Sequence, residues 1–330
     1  MSGGTGAPVT ADGPSEATSI GDLRRRHLRP VHGAANVARI LAAHLLLGAW
    51  FWLGHRLLPF PLYVVGSPVA CLVHQRAMSE WIHEGAHFNL VPGRANDALT
   101  NLLAGLPFVL PVAAYRAVHF AHHRSSRFFV PADPDTAFLA VDSRRAFRRA
   151  VAADVCGLTV ARQARRFLAG SRDTAGPDAP AGPRGTTAHT GPAERAGRTG
   201  RATQLLLAAS AAALVAGAWR AGRLDVPVLY YGTFATAYPL LNRLRTYAQH
   251  VSVTHRGPIA GSSVSRTTEG GWIDRCLHTS PRLGYHHEHH RWPALPWRAL
   301  PALVADRDDP DRYVRRRGPV LRAVYRNLPP

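Results

Sequence analysis

The chain has 330 residues, with 40 basic side chains, all arginine, against 21 acidic ones and a formal charge of +19. Three widely spaced cysteines, Cys71, Cys156 and Cys276, exclude a disulfide framework and a cysteine-based zinc site, and they suit a reducing compartment. The arginines flank long apolar segments and do not interleave with aromatics on a basic face, so the charge points to membrane headgroups and not to nucleic acid.

In chain order, residues 1–34 are polar, then basic at RRRH (24–27), and read as a disordered tail. The first apolar run, from 37, starts too late for an ordinary signal peptide. Four segments are long and apolar enough to be candidate spans: 37–58, 60–80, 203–219 and 225–242. A hydrocarbon core of roughly 30 Å needs about 20 helical residues. The links within each pair are short, around Pro59 and at RAGRLD (220–225), so two antiparallel hairpins are expected. Such hairpins put both termini and the central region on one side. The arginines at 24–26, 144, 145, 148 and 149 make that side cytoplasmic.

A fifth apolar stretch, 98–118, is interrupted by Pro107 and Pro111. It reads as a re-entrant or interfacial segment, because a spanning helix would separate the histidine motifs on either side of it. Residues 136–169 follow a PADPD turn and suggest a surface helix, and 171–202 form a Gly/Pro/Ala/Thr/Arg-rich disordered insert. The expected domains are thus the tail 1–34, a membrane domain 35–310 containing the insert, and a C-terminal tail 311–330.

Histidine carries the chemistry. HEGAH supplies His83 and His87, HFAHH supplies His119, His122 and His123, RTYAQH supplies His250, and HHEHH supplies His286, His289 and His290. Residues i and i+4 share a helix face, so each H-x2-H-H box aims two imidazoles one way and the third to a neighbouring direction. Nine neutral imidazoles exceed the needs of one ion but suit two octahedral ions. HEGAH alone also fits the HExxH zinc-protease motif, but such a site needs one further ligand and not seven. Glu84, Asp133, Asp135 and Gln249 are candidates to orient ligands through hydrogen bonds, Glu84 by accepting from a ring N–H. His278 is a possible extra ligand. His255 and His287 are alternatives to neighbouring positions. His44, His55 and His74 read as helix or interface residues. Tyr63, Trp81, Phe108, Tyr115, Tyr230 and Tyr231 are candidates to frame a tunnel or a membrane interface.

These motifs, with YRAVHFAHH (115–123), ADPD (132–135), SRTT (265–268) and YHHEHHRWPALPW (285–297), resemble the membrane-bound fatty acid desaturase family and its hydroxylase and ketolase relatives. The resemblance implies an all-α integral membrane protein: four transmembrane helices in two hairpins, with a cytoplasmic helical cap carrying a histidine-rich diiron site. It implies two non-haem iron ions held by the nine histidines, O2 chemistry on an apolar lipid or acyl substrate, and electrons from a ferredoxin-like or cytochrome b5-like carrier. A bacterial inner membrane is the expected location. Gln249 stands where many relatives carry glutamate, and His287 where many carry leucine.

Overall fold

The structure is a computed structural model that describes residues 20–168, 192–271 and 284–330. Helix α1 (Ile20–His27) leads into α2 (Pro30–Leu57), a continuous rod with one π turn at Trp50–Gly54. Pro30 starts α2 because a first-turn position needs no backbone N–H donor. Helix α3 (Phe60–Ala86) returns alongside it. Helix α4 (Asn96–Phe108) and α5 (Val112–Arg124) meet at 87°. Helices α6 (Arg144–Val155) and α7 (Leu158–Leu168) precede α8 (Pro192–Arg220). Helices α9 (Asp225–Ala235) and α10 (Ala237–His250) follow. The described C-terminal part holds β1 (Thr267–Thr268), α11 (His286–Arg291), β2 (Tyr313–Val314) and α12 (Arg317–Asn327). β1 and β2 pair in parallel, Thr267 with Tyr313 and Thr268 with Val314.

Among the described residues, two helices are long and apolar enough to cross a membrane, Pro30–Leu57 and Gly200–Arg220, or up to three if the bent α4–α5 pair forms one span. The expected count of four is not reproduced by that measure. The second segment becomes α3, whose first half exposes Phe60, Leu62, Val65 and Val69 while its second half buries His74, Gln75, Arg76 and Glu80. Those polar residues lower its hydropathy because they face protein, not lipid. The fourth segment is split at Thr236 (φ −114°, ψ −73°). Pro239 explains the break: its ring conflicts with the carbonyl of Ala235, four residues earlier. Helices α2 and α8 turn Leu45, Leu46, Leu57, Leu205, Leu206 and Trp219 outward, the surface that acyl chains would cover.

Residues 98–118 bend sharply at their prolines. Pro107 lies in a final 3-10 turn, Val109 adopts a left-handed φ of 53°, and Pro111 caps α5. Three boundaries differ from the sequence reading. Residues 20–34 include α1 and the start of α2, and residues 192–202 belong to α8. The expected tail 311–330 contains α12, whose Val320 and Val324, with Leu328, are buried against Phe129, Leu139, Tyr247 and Ile259. That apolar cluster joins α6, α10 and α12. A second cluster of Ile40, Met78, Trp81, Ile82, Leu90 and Trp297 joins α2, α3 and the segment after α11.

Candidate metal centre

The C-terminal end of α3 places the first box. Its last carbonyls lack intrahelical donors and are capped from outside. Arg116 on α5 donates to Ala86 O at 2.7 Å and Gly85 O at 3.1 Å while pairing with Asp97 at 2.6 Å. Asn96 Nδ2 donates to Gly85 O at 2.8 Å. These bonds lock α3 to α4 and α5, so His83 and His87 confront His119 and His123. Gly85 permits the approach: a Cβ there would fall on the Thr100 side chain, 2.8 Å from its Cβ.

Arg266 fixes the end of α10. It donates to Ala248 O at 2.8 Å, Val251 O at 2.9 Å and Pro310 O at 2.8 Å, and pairs with Asp311 at 2.7 Å. His250 is thereby held at the helix terminus, its Nδ1 3.1 Å from Val264 O. Thr267 donates to Glu288, which anchors α11 and its three histidines. Arg116, Arg266, Thr267 and Glu288 were given no role from sequence. The signal was the SRTT stretch and the glutamate inside HHEHH, but their partners lie far along the chain.

The nine histidines gather into two adjoining groups. His83, His87, His119, His123 and His289 form one, and His122, His250, His286 and His290 the other. The ligand atoms within each group lie within 4.8 Å of one another. Within α5, His119 and His123 face the first group and His122 the second. Within α11, His286 and His290 face the second and His289 the first. Many Nε2 atoms point at each other: His119 to His87 at 3.0 Å, His123 to His119 at 3.0 Å, His289 to His123 at 3.0 Å and His250 to His286 at 2.8 Å.

The outer nitrogens show why. His122 Nδ1 lies 3.0 Å from both Asp133 oxygens, and His119 Nδ1 lies 3.0 Å from Asp135 Oδ2. Those carboxylates accept a hydrogen bond from Nδ1–H, which favours the tautomer that leaves Nε2 with its lone pair inward. Burial is the main force holding His83, His87, His250, His286, His289 and His290 well below the usual imidazole pKa, and neighbouring imidazoles add to it. His119 and His123 are lowered for the same leading reason. Burial pushes the Asp135 carboxyl up, but the His119 hydrogen bond and nearby positive charge outweigh it and hold it below the usual range. His83, His123 and His286 have Nδ1 buried without a hydrogen-bond partner among the described residues. Neutral imidazoles with converging lone pairs are a donor set that fits two first-row divalent ions, which is where iron would be held.

A fatty acid desaturase family model matches residues 58–319. The chain belongs to the fatty acid desaturase family. No curated protein and no solved structure matches it. Membership makes it a desaturase- or hydroxylase-type protein whose relatives are diiron oxidoreductases of membranes, and the histidine groups are a set able to bind metal.

Not every expected residue lies where the spacing suggested. Glu84 is buried but bonds no histidine among the described residues; Trp297 N donates to its Oε2 at 3.4 Å, and burial pushes its carboxyl up to about 8. Gln249 is buried beside His250. His255 is exposed and bonds Ser252 at 3.2 Å, and His287 bonds Ser265 at 3.0 Å, so neither joins a group. His44 and His74 bond each other at 2.9 Å. His278 lies outside the described residues. Phe108 and Tyr115 line a cavity of about 260 Å³ against the histidines, together with Phe234 and Tyr238. Tyr63, Trp81, Tyr230 and Tyr231 do not line it; Tyr63 instead donates to Asp225.

Proposed function

We propose that this chain is a membrane-bound diiron desaturase that introduces a double bond into an apolar lipid or acyl substrate. The observation that carries the reading is the division of nine inward-facing histidines into two adjoining groups within a desaturase-family chain. In this reading the nine histidines are the ligands, five around one ion and four around the other. Two bound iron ions would supply O2 activation and the oxidising power to break an unactivated C–H bond.

The protein's part is positional. Asp133 and Asp135 fix the tautomer and orientation of His122 and His119. Glu84 and Gln249 support the segments that carry His83 and His250. Phe108, Leu110, Phe234 and Tyr238 offer apolar surface to a substrate entering beside His83 and His286. The exposed arginines Arg145, Arg148, Arg149 and Arg162 suit an acidic electron carrier such as a ferredoxin. The site and both termini face the cytoplasm of a bacterial inner membrane.

A hydroxylase or ketolase is the second reading, favoured by one observation: the cavity wall also carries Ser79, Asn242, Thr246 and Arg245, which suit an oxygenated substrate. Purified enzyme is expected to hold about two iron ions per chain, and His119→Ala or His289→Ala to lose iron. With reductant, O2 and candidate lipids, a product lighter by two hydrogens supports desaturation, and one heavier by an oxygen supports hydroxylation. Iron-free protein after reconstitution would sink both readings.

A further inference from the structure

The cavity beside the histidines holds a cation that meets no carboxylate directly among the described residues. Arg76, Arg243 and Arg266 are at most 3 % exposed, and each meets a carboxylate: Glu80 at 3.0 Å, Asp154 at 2.6 Å and Asp311 at 2.7 Å. Such pairing is the rule, because an isolated buried charge is strongly unfavourable. Arg245 breaks it. Its Nε is shut off from solvent without a hydrogen-bond partner, and its side chain forms no ion pair among the described residues. Yet it lines the cavity together with His83, His119, His250 and His286. Glu80 and Asp135 line the same cavity and attract Arg245 through space, but each gives its direct contact to another group, Asp135 to His119 at 3.0 Å and Glu80 to Arg76 at 3.0 Å.

We propose that the substrate carries a free carboxylate into this chamber, that Arg245 binds it, and that oxidation falls on carbon close to it. The proposal rests on the function proposed above and names its substrate class. A guanidinium offers a planar fork that matches a carboxylate, and Asn242, Thr246 and Ser79 on the same wall supply further hydrogen-bonding groups. Phe108, Leu110, Phe234 and Tyr238 take the hydrocarbon part. A chamber of about 260 Å³ suits a compact acid. A thioester would have consumed the anion that Arg245 requires. Arg245 and His250 are five residues apart on α10, about 7.5 Å of helix rise, and both line the cavity, so a group held by Arg245 shares one chamber with the histidines.

The test is equilibrium dialysis of octanoate against methyl octanoate, on the full chain in detergent, iron-loaded and metal-free, with iron content measured in parallel. Wild-type protein is expected to prefer the acid by about tenfold or more in both forms. Arg245→Gln is expected to reduce the preference below about twofold with iron content unchanged. Arg245→Lys keeps the charge and loses the fork, so it is expected to weaken acid binding and spare the ester; this variant decides the matter if Arg245→Gln does not fold. Equal binding of acid and ester by the wild type overturns the proposal. So does a preference that survives Arg245→Gln, including one that appears only with iron, which would place the carboxylate on the metal. Iron at about two per chain with no acid preference removes this proposal alone. An Arg245-dependent preference in a chain that binds no iron removes the diiron reading and leaves the anion site standing.

Discussion

The carboxylates behind the histidines are the residues on which the centre's geometry turns. Asp133 is fully buried and gives both oxygens to His122, while Asp135 gives one to His119. Without them each ring is free to rotate or to present the protonated nitrogen. Asp133→Ala and Asp135→Ala are therefore expected to weaken metal affinity about 10- to 100-fold, measured by competition with a chelator, while the helical circular dichroism persists. Asp133→Ala should be the more severe, because it also strands the Thr136 hydroxyl that donates to Asp133. The histidines make a second expectation, for pH. Unfolded imidazoles titrate near about 6.5, and burial lowers those of the folded centre. Below about 6.5 the unfolded chain binds more protons than the folded one, so stability falls as pH falls and is flat above about 7.5. Melting of metal-free protein at pH 7.5, 6.5 and 5.5 should show that slope. A melting temperature independent of pH would mean that the rings are not buried as described.

Among the elements, the junction of α3 and α4 fixes where the first histidine pair sits. Gly85 lies between His83 and His87 and touches Thr100 with no room for a methyl group. Gly85→Ala is expected to cost about 1–3 kcal/mol, read from denaturant unfolding, and to reduce bound metal by pushing α3 away from α4. Adding Thr100→Ala removes the hydroxyl and methyl that collide and should restore part of both. The HEGAH, HFAHH and HHEHH spacings made the facing of these helices legible, since i and i+4 positions share a side whatever the tertiary fold. Pro107 and Pro111 likewise announced the bend between α4 and α5. The split between α9 and α10 was less visible, because an apolar window averages over Pro239. The polar half of α3 misled for the opposite reason: its hydropathy records what the side chains are, not that they face other helices. The bonds from Arg266 to Asp311 and from Arg243 to Asp154 join residues 45 and 89 positions apart, and neither local spacing nor composition encodes such partners.

For the whole molecule, the decisive quantity is which side of the membrane the centre occupies. Helix α6 packs on α10 through the buried Asp154–Arg243 pair, and the neighbouring apolar cluster buries Tyr247 and Val251 on either side of His250. Cys156 ends α6 just past Asp154 and is exposed, whereas Cys71 is buried inside α3. The two thiols therefore report different environments without any engineered label. In a Cys276→Ser background, a membrane-impermeant maleimide is expected to modify Cys156 in inverted vesicles and not in right-side-out cells, while Cys71 reacts only after denaturation. Modification of Cys156 from outside intact cells would turn the molecule over. The arginine-rich face would then meet the exterior, out of reach of a cytoplasmic electron carrier, although the histidine geometry itself would be unchanged. The proposed orientation rests on the arginine distribution along the chain, and the proposed metal centre on short-range spacing and packing, so this labelling experiment tests the first independently of the second.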